Sequence, residues 1–392
     1  MQNSLMKNSF WQFIEQKPLY YKEIDHQRVH KAYTILKPHI KQPLTIHIVG
    51  TNGKGSTGRI MASLLHFSGK KVGHFSSPHI LKFNERLWME GADISDEALA
   101  VAHDRLYAIL GKEVSDGLSY FEYTTLLAFV AMEKLEVMVL EAGLGGEFDA
   151  TNVCPKALSL ITPIGLDHQD FLGESIEEIA TTKINSIDKA FILAFQGDER
   201  VYEVARSIAK KKNATLYEVQ NFQQEYAKEY KAIKALTQKK GWSEYLFENT
   251  LLAIYALKYL HLSYSLNDLQ GVRLFGRFYA ISPNVIVDVG HNLLAAEAIV
   301  NALKKEKKRP ILIYNALKDK DHKGILASFK PHIEHVEIIE IESSRALERD
   351  LLEESLNALE IEYKTFKNID KHRDYLVFGS FYVLEAFLKI TS

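Results

Sequence analysis

In this chain of 392 residues the richest chemical signal is one octet, Gly50-Thr51-Asn52-Gly53-Lys54-Gly55-Ser56-Thr57. It follows the strand candidate Leu44–Val49 and leads into a helical pattern over Thr57–Phe67. A strand, a glycine loop and a helix N-terminus together bind phosphate. Small residues let backbone N–H groups converge, and the helix dipole favours an anion. Lys54 would then reach the terminal phosphates of a nucleotide, and the hydroxyl of Ser56 or Thr57 would face Mg2+. The strict Walker pattern has glycine where this chain has Ile48, so the loop is a variant. An ordinary glycine-rich turn is the plainer alternative. A second loop, Gly143-Leu144-Gly145-Gly146, lacks the full G-x-G-x-x-G spacing and no clear helix follows it, which argues against a nicotinamide site.

Other candidates stand where strands end. The run Val137–Leu140 leads into Glu141, a carboxylate that is costly to bury unless it meets a cation. Magnesium held by a nucleotide is a natural partner for it. Lys71–Phe75 ends in Ser76-Ser77-Pro78-His79, and Ala157–Ile164 leads to Asp167-His168. Ligands of open α/β sheets sit beyond the carboxyl ends of strands, so Ser77, Glu141 and His168 could converge near the phosphate loop. One by one they also read as a turn serine, a capping glutamate and a loop histidine.

Ser175 and Glu178 are spaced as a capping box, so a helix starts near Ile176. On that helix Lys183 shares a face with Ile176, Ile179, Ala180, Ile184 and Ile187. Either it snorkels to the surface or it is a functional lysine. Asp288 and His291 stand at the end of a further strand over Asn284–Val289, where a helix cap with a loop histidine is the alternative.

These residues need a scaffold, and the sequence alternates strand and helix patterns. Strands are expected at Leu44–Val49, Lys71–Ser76, Glu136–Leu140, Ala157–Ile164 and Ala190–Phe195. More are expected at Val285–Asp288, Pro310–Asn315, Val336–Ile341 and Tyr375–Phe378. Several are apolar throughout, as strands covered on both faces are. Helical patterns include Ala98–Leu110 and Leu251–Leu260. The fold class expected is α/β. It comprises an N-terminal P-loop-type, mainly parallel sheet domain over residues 1–275 and a smaller C-terminal α/β, Rossmann-like domain over residues 276–392. The boundary falls near Gly271–Pro283.

Composition narrows the function classes. The 48 Lys+Arg nearly cancel the 50 Asp+Glu, leaving a net charge of −2, so a nucleic-acid partner is not expected. The lysine clusters at 210–212 and 304–308 read as solvated helix ends. Hydrophobic residues at 46% argue for a folded chain. The single cysteine, Cys154, allows no internal disulfide and fits a reducing compartment. Met1–Phe13 lacks a signal-peptide pattern, and no apolar run approaches the ~18 residues of a membrane span. A cytoplasmic protein without membrane contact is expected.

In order along the chain, the motifs resemble one family: the folylpolyglutamate synthase and dihydrofolate synthase branch of the Mur-type amide ligases. The strings that carry the resemblance are Gly50–Ser56, Ser76–His79, Ser119–Glu122, Glu141–Asn152 (EAGLGGEFDATN), Leu166–His168 and Gly276–Phe278. Asp288–Asn292, Lys318–Asp321 and Val377–Phe381 complete the set. The resemblance implies an ATP-dependent ligase that makes an acyl phosphate on a pterin carboxylate, which the amine of L-glutamate then attacks. The small-molecule substrates it implies are dihydropteroate, reduced folates, L-glutamate and ATP, and a monomer is expected. It implies ATP contacts from Thr51, Asn52, Gly53, Lys54, Gly55 and Ser56, with Asn249, Arg277 and Asp288 adding others. It implies pterin contacts from Ser119, Tyr120, Phe121, Glu122, Phe148, Asp149 and Ala150. Phe121 also reads as core, since the apolar run Leu126–Val130 follows it. By the same resemblance Ser77, Glu141 and His168 hold one Mg2+, and Lys183, carbamylated, serves a second. Lys54, Lys183 and His291 are the catalytic set it implies, with His291 near the glutamate.

The chain departs from the family pattern at three places. The segment Ile24–Val29 is short, Thr182-Lys183-Ile184-Asn185 stands where Glu-Lys-Ala-Gly is usual, and Phe275 replaces a proline. Two other functions compete. A Mur-type cell-wall ligase would carry a sugar-nucleotide domain ahead of the phosphate loop, where only 49 residues stand. A nucleotide-dependent switch protein would hydrolyse ATP without glutamate.

Overall fold

The computed structural model describes residues 10–18 and 25–391. Met1–Ser9 and Ile24, which entered the leader and short-loop readings, lie outside the described residues. The described chain forms two compact units. The first comprises the described residues up to Ile164, with Leu172–Ile233 and Asn249–Val272; the second comprises Gly165–Phe171, Lys234–Glu248 and the described residues from Arg273 onward.

The first unit is built on eight strands: β1 (Leu44–Val49), β2 (Val72–Phe75), β3 (Leu87–Met89), β4 (Ala92–Asp93), β5 (Val137–Glu141), β6 (Leu158–Ile161), β7 (Ala190–Leu193) and β8 (Thr215–Glu218). Their order is β4-β3-β2-β5-β1-β6-β7-β8. All neighbours are parallel except β2/β3 and β3/β4. Strands β2, β5, β6 and β7 are buried at every position, which is why they read as mostly apolar runs rather than alternating ones. The register pairs Phe75 with Leu140 and Ile48 with Glu141, so β2, β5 and β1 end side by side. Helix α1 (Lys54–Phe67) follows β1, α2 (Tyr120–Met132) precedes β5, and α3 (Ile176–Ile184) follows β6. Helix α4 (Glu244–Tyr259) carries Asn249.

The second unit has six strands: β9 (Tyr279–Ser282), β10 (Val285–Val287), β11 (Ile311–Tyr314), β12 (Val336–Ile338), β13 (Tyr363–Thr365) and β14 (Tyr375–Phe378). Their order is β13-β12-β11-β14-β10-β9, parallel except for the edge pair β9/β10. Its core joins the sheet residues Leu312, Tyr314 and Phe378 to Ile299 and Leu303 of α5 (Leu293–Glu306). The expected α/β class, with a large mainly parallel sheet and a second smaller one, is the class observed.

Candidate active site

The phosphate-loop candidate is shaped by close approaches that only glycine permits. Gly50, at φ +149°, follows β1, and a Cβ there would lie 2.0 Å from Thr162 Oγ1 and 2.8 Å from its carbonyl oxygen. The loop is pinned where the N–H groups of Thr51 and Asn52 donate to the Pro163 carbonyl at 3.0 and 3.1 Å. Gly53, at φ +87°, caps α1 in the left-handed region and supplies no side-chain acceptor. The first N–H groups of α1 are thus left to an anion. A Cβ on Gly53 would lie 2.7 Å from Asn249 Oδ1. Asn249 is buried and donates its amide to Ser56 Oγ at 2.7 Å, while Ser56 donates to the Gly53 carbonyl at 3.1 Å. Asn249 is thereby tied to the loop from a distant part of the sequence.

Two cations meet at this loop. Lys54 Nζ donates to the Gly50 and Thr51 carbonyls at 3.0 and 3.2 Å. Lys183 Nζ donates to the same Gly50 oxygen at 3.1 Å. Their separation cannot exceed the two distances to that oxygen laid end to end, about 6 Å. At an effective dielectric of about 20, two unit charges that close repel by on the order of 3 kcal/mol, and a polyanion between them turns the repulsion into attraction. Lys183 is 4% exposed, so it does not snorkel, and its ammonium is directed inward onto the loop.

Glu141 closes β5 and is 4% exposed; Ser77 follows β2, its neighbour in the sheet, and is half-buried. A carboxylate and a hydroxyl on adjacent strand ends are oxygen donors, which suit a hard divalent cation. Among the described residues no cluster of three or more His, Cys, Asp or Glu side chains forms a metal site by itself. Any cation here therefore needs oxygen from hydroxyl, nucleotide or water as well. Beside Glu141 lies His74 of β2, which the sequence reading passed over because a lone histidine in an apolar strand carries no spacing signal. Burial, then the charge of Arg59, holds its imidazole well below the usual range, so the ring is neutral.

The segment after β5 is a closely packed loop. A Cβ on Gly143 would lie 2.5 Å from the Phe121 ring, and one on Gly146 2.5 Å from the Lys183 carbonyl oxygen. The two glycines thus let Phe121 and α3 press against the loop. Asp149 caps the turn Ala150–Val153: Oδ1 accepts from Thr151 N and Oγ1 at 2.9 and 2.5 Å, and Oδ2 accepts from Leu144 N at 2.8 Å. Since Thr151 donates its hydroxyl proton to Asp149, His47 must donate through Nε2 to Thr151 Oγ1, at 2.8 Å. Burial, then the Lys156 charge, lowers the His47 imidazole to about 3. Phe148 is exposed, with the His26 ring 4.4 Å away.

Helix α2 begins with Ser119 and Glu122 as a capping box. Glu122 accepts from Ser119 N at 2.7 Å and from Arg28 Nε at 2.9 Å, so its carboxylate holds the helix start to the helix His26–Leu36. Arg28 is a residue that the sequence reading gave no role. Tyr120 and Phe121 are half-buried, Tyr120 under the Arg86 guanidinium at 5.3 Å. Phe121 lies 6.0 Å from Phe75, so it is neither wholly core nor wholly exposed.

The second unit gathers its own polar cluster at strand ends. Asp288 accepts from Tyr245 Oη and Phe278 N, both at 2.8 Å, and from Gly290 N at 2.7 Å. Burial pushes its carboxyl up against the lowering effect of Arg277 and these donors. Arg277 itself donates to the Gly276 carbonyl and stacks over Phe381. Asp167 is a hub. It accepts from Lys320 Nζ at 2.5 Å and Asn292 Nδ2 at 3.1 Å, and His291 Nε2 and His168 Nε2 lie 3.6 and 3.9 Å away. Burial works to raise its carboxyl, but the nearby His291, then the charges of His168 and Lys320, hold it well below the usual range. His168 and Phe278 both adopt left-handed backbone, at φ +53° and +43°, costing about 1–2 kcal/mol each for a side chain. Each N–H finds a carboxylate there, Asp167 and Asp288 respectively. Of the sequence candidates, Thr51–Ser56, Asn249 and Lys183 meet at the phosphate loop, with Ser77 and Glu141 on neighbouring strand ends. Arg277, Asp288, His291 and His168 belong to the second unit.

Residues 276–377 match the family described as Mur ligase, glutamate ligase domain. A dihydrofolate synthase/folylpolyglutamate synthase of Haemophilus influenzae is 30% identical over 400 residues, covering 88% of each chain. The chain belongs to the dihydrofolate synthase/folylpolyglutamate synthase family. It is accordingly an enzyme, a ligase, and the cell-wall and switch readings are not favoured. Solved structures in this family share the fold. Helicobacter pylori folylpolyglutamate synthetase is 38% identical with a TM-score of 0.76, covering 97% of each chain. Escherichia coli FolC in complex with DHPP and ADP is 26% identical with a TM-score of 0.81, covering 98% of this chain and 97% of its own. A bifunctional Yersinia pestis folylpolyglutamate synthase/dihydrofolate synthase complexed with AMPPNP and Mn ion is 26% identical with a TM-score of 0.80, at the same two coverages. Among the described residues no helix is long and apolar enough to cross a membrane.

Proposed function

We propose that this ligase transfers the γ-phosphoryl group of ATP to the carboxylate of dihydropteroate or of a reduced folate. The amine of L-glutamate then attacks the acyl phosphate, an amide bond forms, and ADP, phosphate and a proton are released. The observation that carries the reading is the pair Lys54 and Lys183 on one carbonyl, at a helix N-terminus with no side-chain cap. Relatives that hold ADP, AMPPNP, DHPP or Mn ion support the substrate classes.

In this reading the N–H groups of the loop and of the first turn of α1 receive phosphate oxygens. Lys54 leaves its own loop carbonyls for the β/γ-phosphates and balances charge that moves toward the bridging oxygen. Asn249 holds Ser56 and, by packing on Gly53, the turn that aims those N–H groups. Ser77, Glu141 and His168 are assigned to one Mg2+, with a second at Lys183 if that lysine is carbamylated. A bound Mg2+ supplies neutralisation of phosphate charge and a fixed orientation of the transferring group. Ser119–Glu122 and Phe148–Ala150 are assigned to the pterin end, with the half-buried Phe121 offering the ring face and Asp149 holding the loop. Arg277 and Asp288 are assigned to the nucleotide, and His291 to the incoming glutamate. Residues 1–275 then activate the carboxylate, and 276–392 serve the amino acid.

The test is phosphate release with ATP, Mg2+ and glutamate, adding dihydropteroate or tetrahydrofolate separately. Release is expected only when a pterin acid and glutamate are both present, with a product one glutamate heavier by mass. Release that ignores the pterin acid would overturn the reading.

A further inference from the structure

His74 is fully buried on β2, and nothing in the reaction described so far uses it. Its place depends on Gly58 of α1, where a Cβ would fall 2.3 Å from His74 Nε2. A glycine inside a helix weakens the helix, so this gap has a cost, and the imidazole fills it. On the other edge of the ring Arg59 Nε donates to Nδ1 at 3.5 Å. An Nδ1 that accepts places the ring proton on Nε2. That nitrogen has no hydrogen-bond partner among the described residues and lies 4.0 Å from Glu141 Oε2.

We infer that His74 is a positioning residue for Glu141: its Nε2–H, directed by Arg59 and given room by Gly58, orients the Glu141 carboxylate for a divalent cation. The inference rests on the assignment of Glu141 to a cation. The 4.0 Å gap is longer than a hydrogen bond, and a shift of about 1 Å in the carboxylate closes it. A donor behind a ligating carboxylate fixes which oxygen faces the metal, and losing such a donor commonly weakens metal binding about 10- to 100-fold. Phosphate contacts of the loop lie on β1 and α1 and do not pass through His74, so ADP binding without metal is independent of it.

The experiment titrates Mn2+ into the ADP complex of the full chain and follows free Mn2+ by electron paramagnetic resonance. His74→Leu, which fills the same space without a donor, is expected to weaken Mn2+ binding at least tenfold while metal-free ADP binding is unchanged. His74→Gln, whose amide N–H can reach the Nε2 position, is expected to restore most of the affinity. Thermal melting checks that each variant folds. If His74→Leu does not fold, Gly58→Ala replaces it, since its methyl occupies the Nε2 space and turns the ring away from Glu141. Unchanged Mn2+ affinity in the donor-less or displaced-ring variant, or equal weakening in the Leu and Gln variants, overturns the inference. Glu141→Gln separates the two levels. If it binds Mn2+ like the wild type, the cation assignment itself fails; if it alone weakens binding, only the role of His74 fails.

Discussion

Lys54 and Lys183 show how two residues of one type divide their work. Lys54 is half-buried and bonded to carbonyls of its own loop, so its ammonium can swing to a phosphate without disturbing the core. Lys54→Ala is therefore expected to keep the wild-type melting temperature and lower kcat/KM for ATP by about 100-fold or more, a loss in the range seen when one stabilising donor is removed. Near-wild-type turnover at saturating ATP would remove the phosphate-loop assignment. Lys183 is buried in the apolar face of α3 with its nitrogen on Gly50, so its loss touches both loop and packing. If its amine adds carbon dioxide and releases a proton, the product is an anionic oxygen ligand suited to Mg2+. Lys183→Ala is expected to be nearly inactive and partly restored by short carboxylic acids, which return the carboxylate without the chain. Activity that survives unaided, together with a wild type indifferent to bicarbonate removal, would leave Lys183 as a structural partner of the loop.

At the scale of elements, the loop Gly143–Gly146 and helix α3 form one assembly. A Cβ on Gly146 would meet Lys183 backbone atoms at 2.5 and 2.9 Å, and backbone cannot swing aside as a side-chain tip can. Gly146→Ala is expected to lower stability by about 1–3 kcal/mol, as overpacking does. Gly117→Ala, where a Cβ meets nothing within 4 Å, should change it by less than about 0.5 kcal/mol. Equal urea midpoints for the two variants would contradict this packing. The role of Gly146 was not legible in the sequence, because it depends on a helix some forty residues away rather than on local spacing. The central strands were legible: Leu44–Val49 and Tyr375–Phe378 have the bounds expected, since burial on both faces favours β-branched and apolar residues at successive positions. The missed strands are short or peripheral. β3 and β4 are brief antiparallel additions, and β8, β9 and β13 are edge strands with exposed or half-exposed positions, so no apolar run marks them. The helix expected over Ala98–Leu110 is longer than its pattern, running Asp96–Gly117 past a break at Gly111 with φ +74°. Candidate residues at the phosphate loop were legible because strand, glycine and lysine are contiguous. His74 and Arg28 were not, since each acquires its partner only through the fold.

For the whole molecule, stability against pH is set by buried groups whose contributions have opposite signs. His47 is neutral in the fold, its imidazole lowered to about 3 by burial and then by Lys156, whereas unfolded it takes a proton near its ordinary value of 6.5. Below pH 6.5 the unfolded chain binds the extra proton, so His47 removes stability as pH falls, amounting to about 2 kcal/mol by pH 5. His103, also lowered chiefly by burial, acts in the same direction. Glu248 does the reverse. Burial, then the charge of Glu244, raises its carboxyl from 4.5 to about 7. Between these values the folded chain binds the extra proton, so the stability Glu248 contributes is present below pH 4.5 and lost as pH rises through 7. Across pH 4.5–6.5 the slopes of these two groups oppose. His47→Gln keeps a donor for Thr151 and removes only the titration, so this variant is expected to gain stability relative to wild type as pH is lowered from 7 to 5. Glu248→Gln removes the opposing slope. It is expected to be more stable than wild type at pH 8 and to lose that advantage by pH 5. Urea unfolding of the three chains at pH 8, 7, 6 and 5 measures both differences, and parallel curves for all three would show that neither group is shifted in the fold.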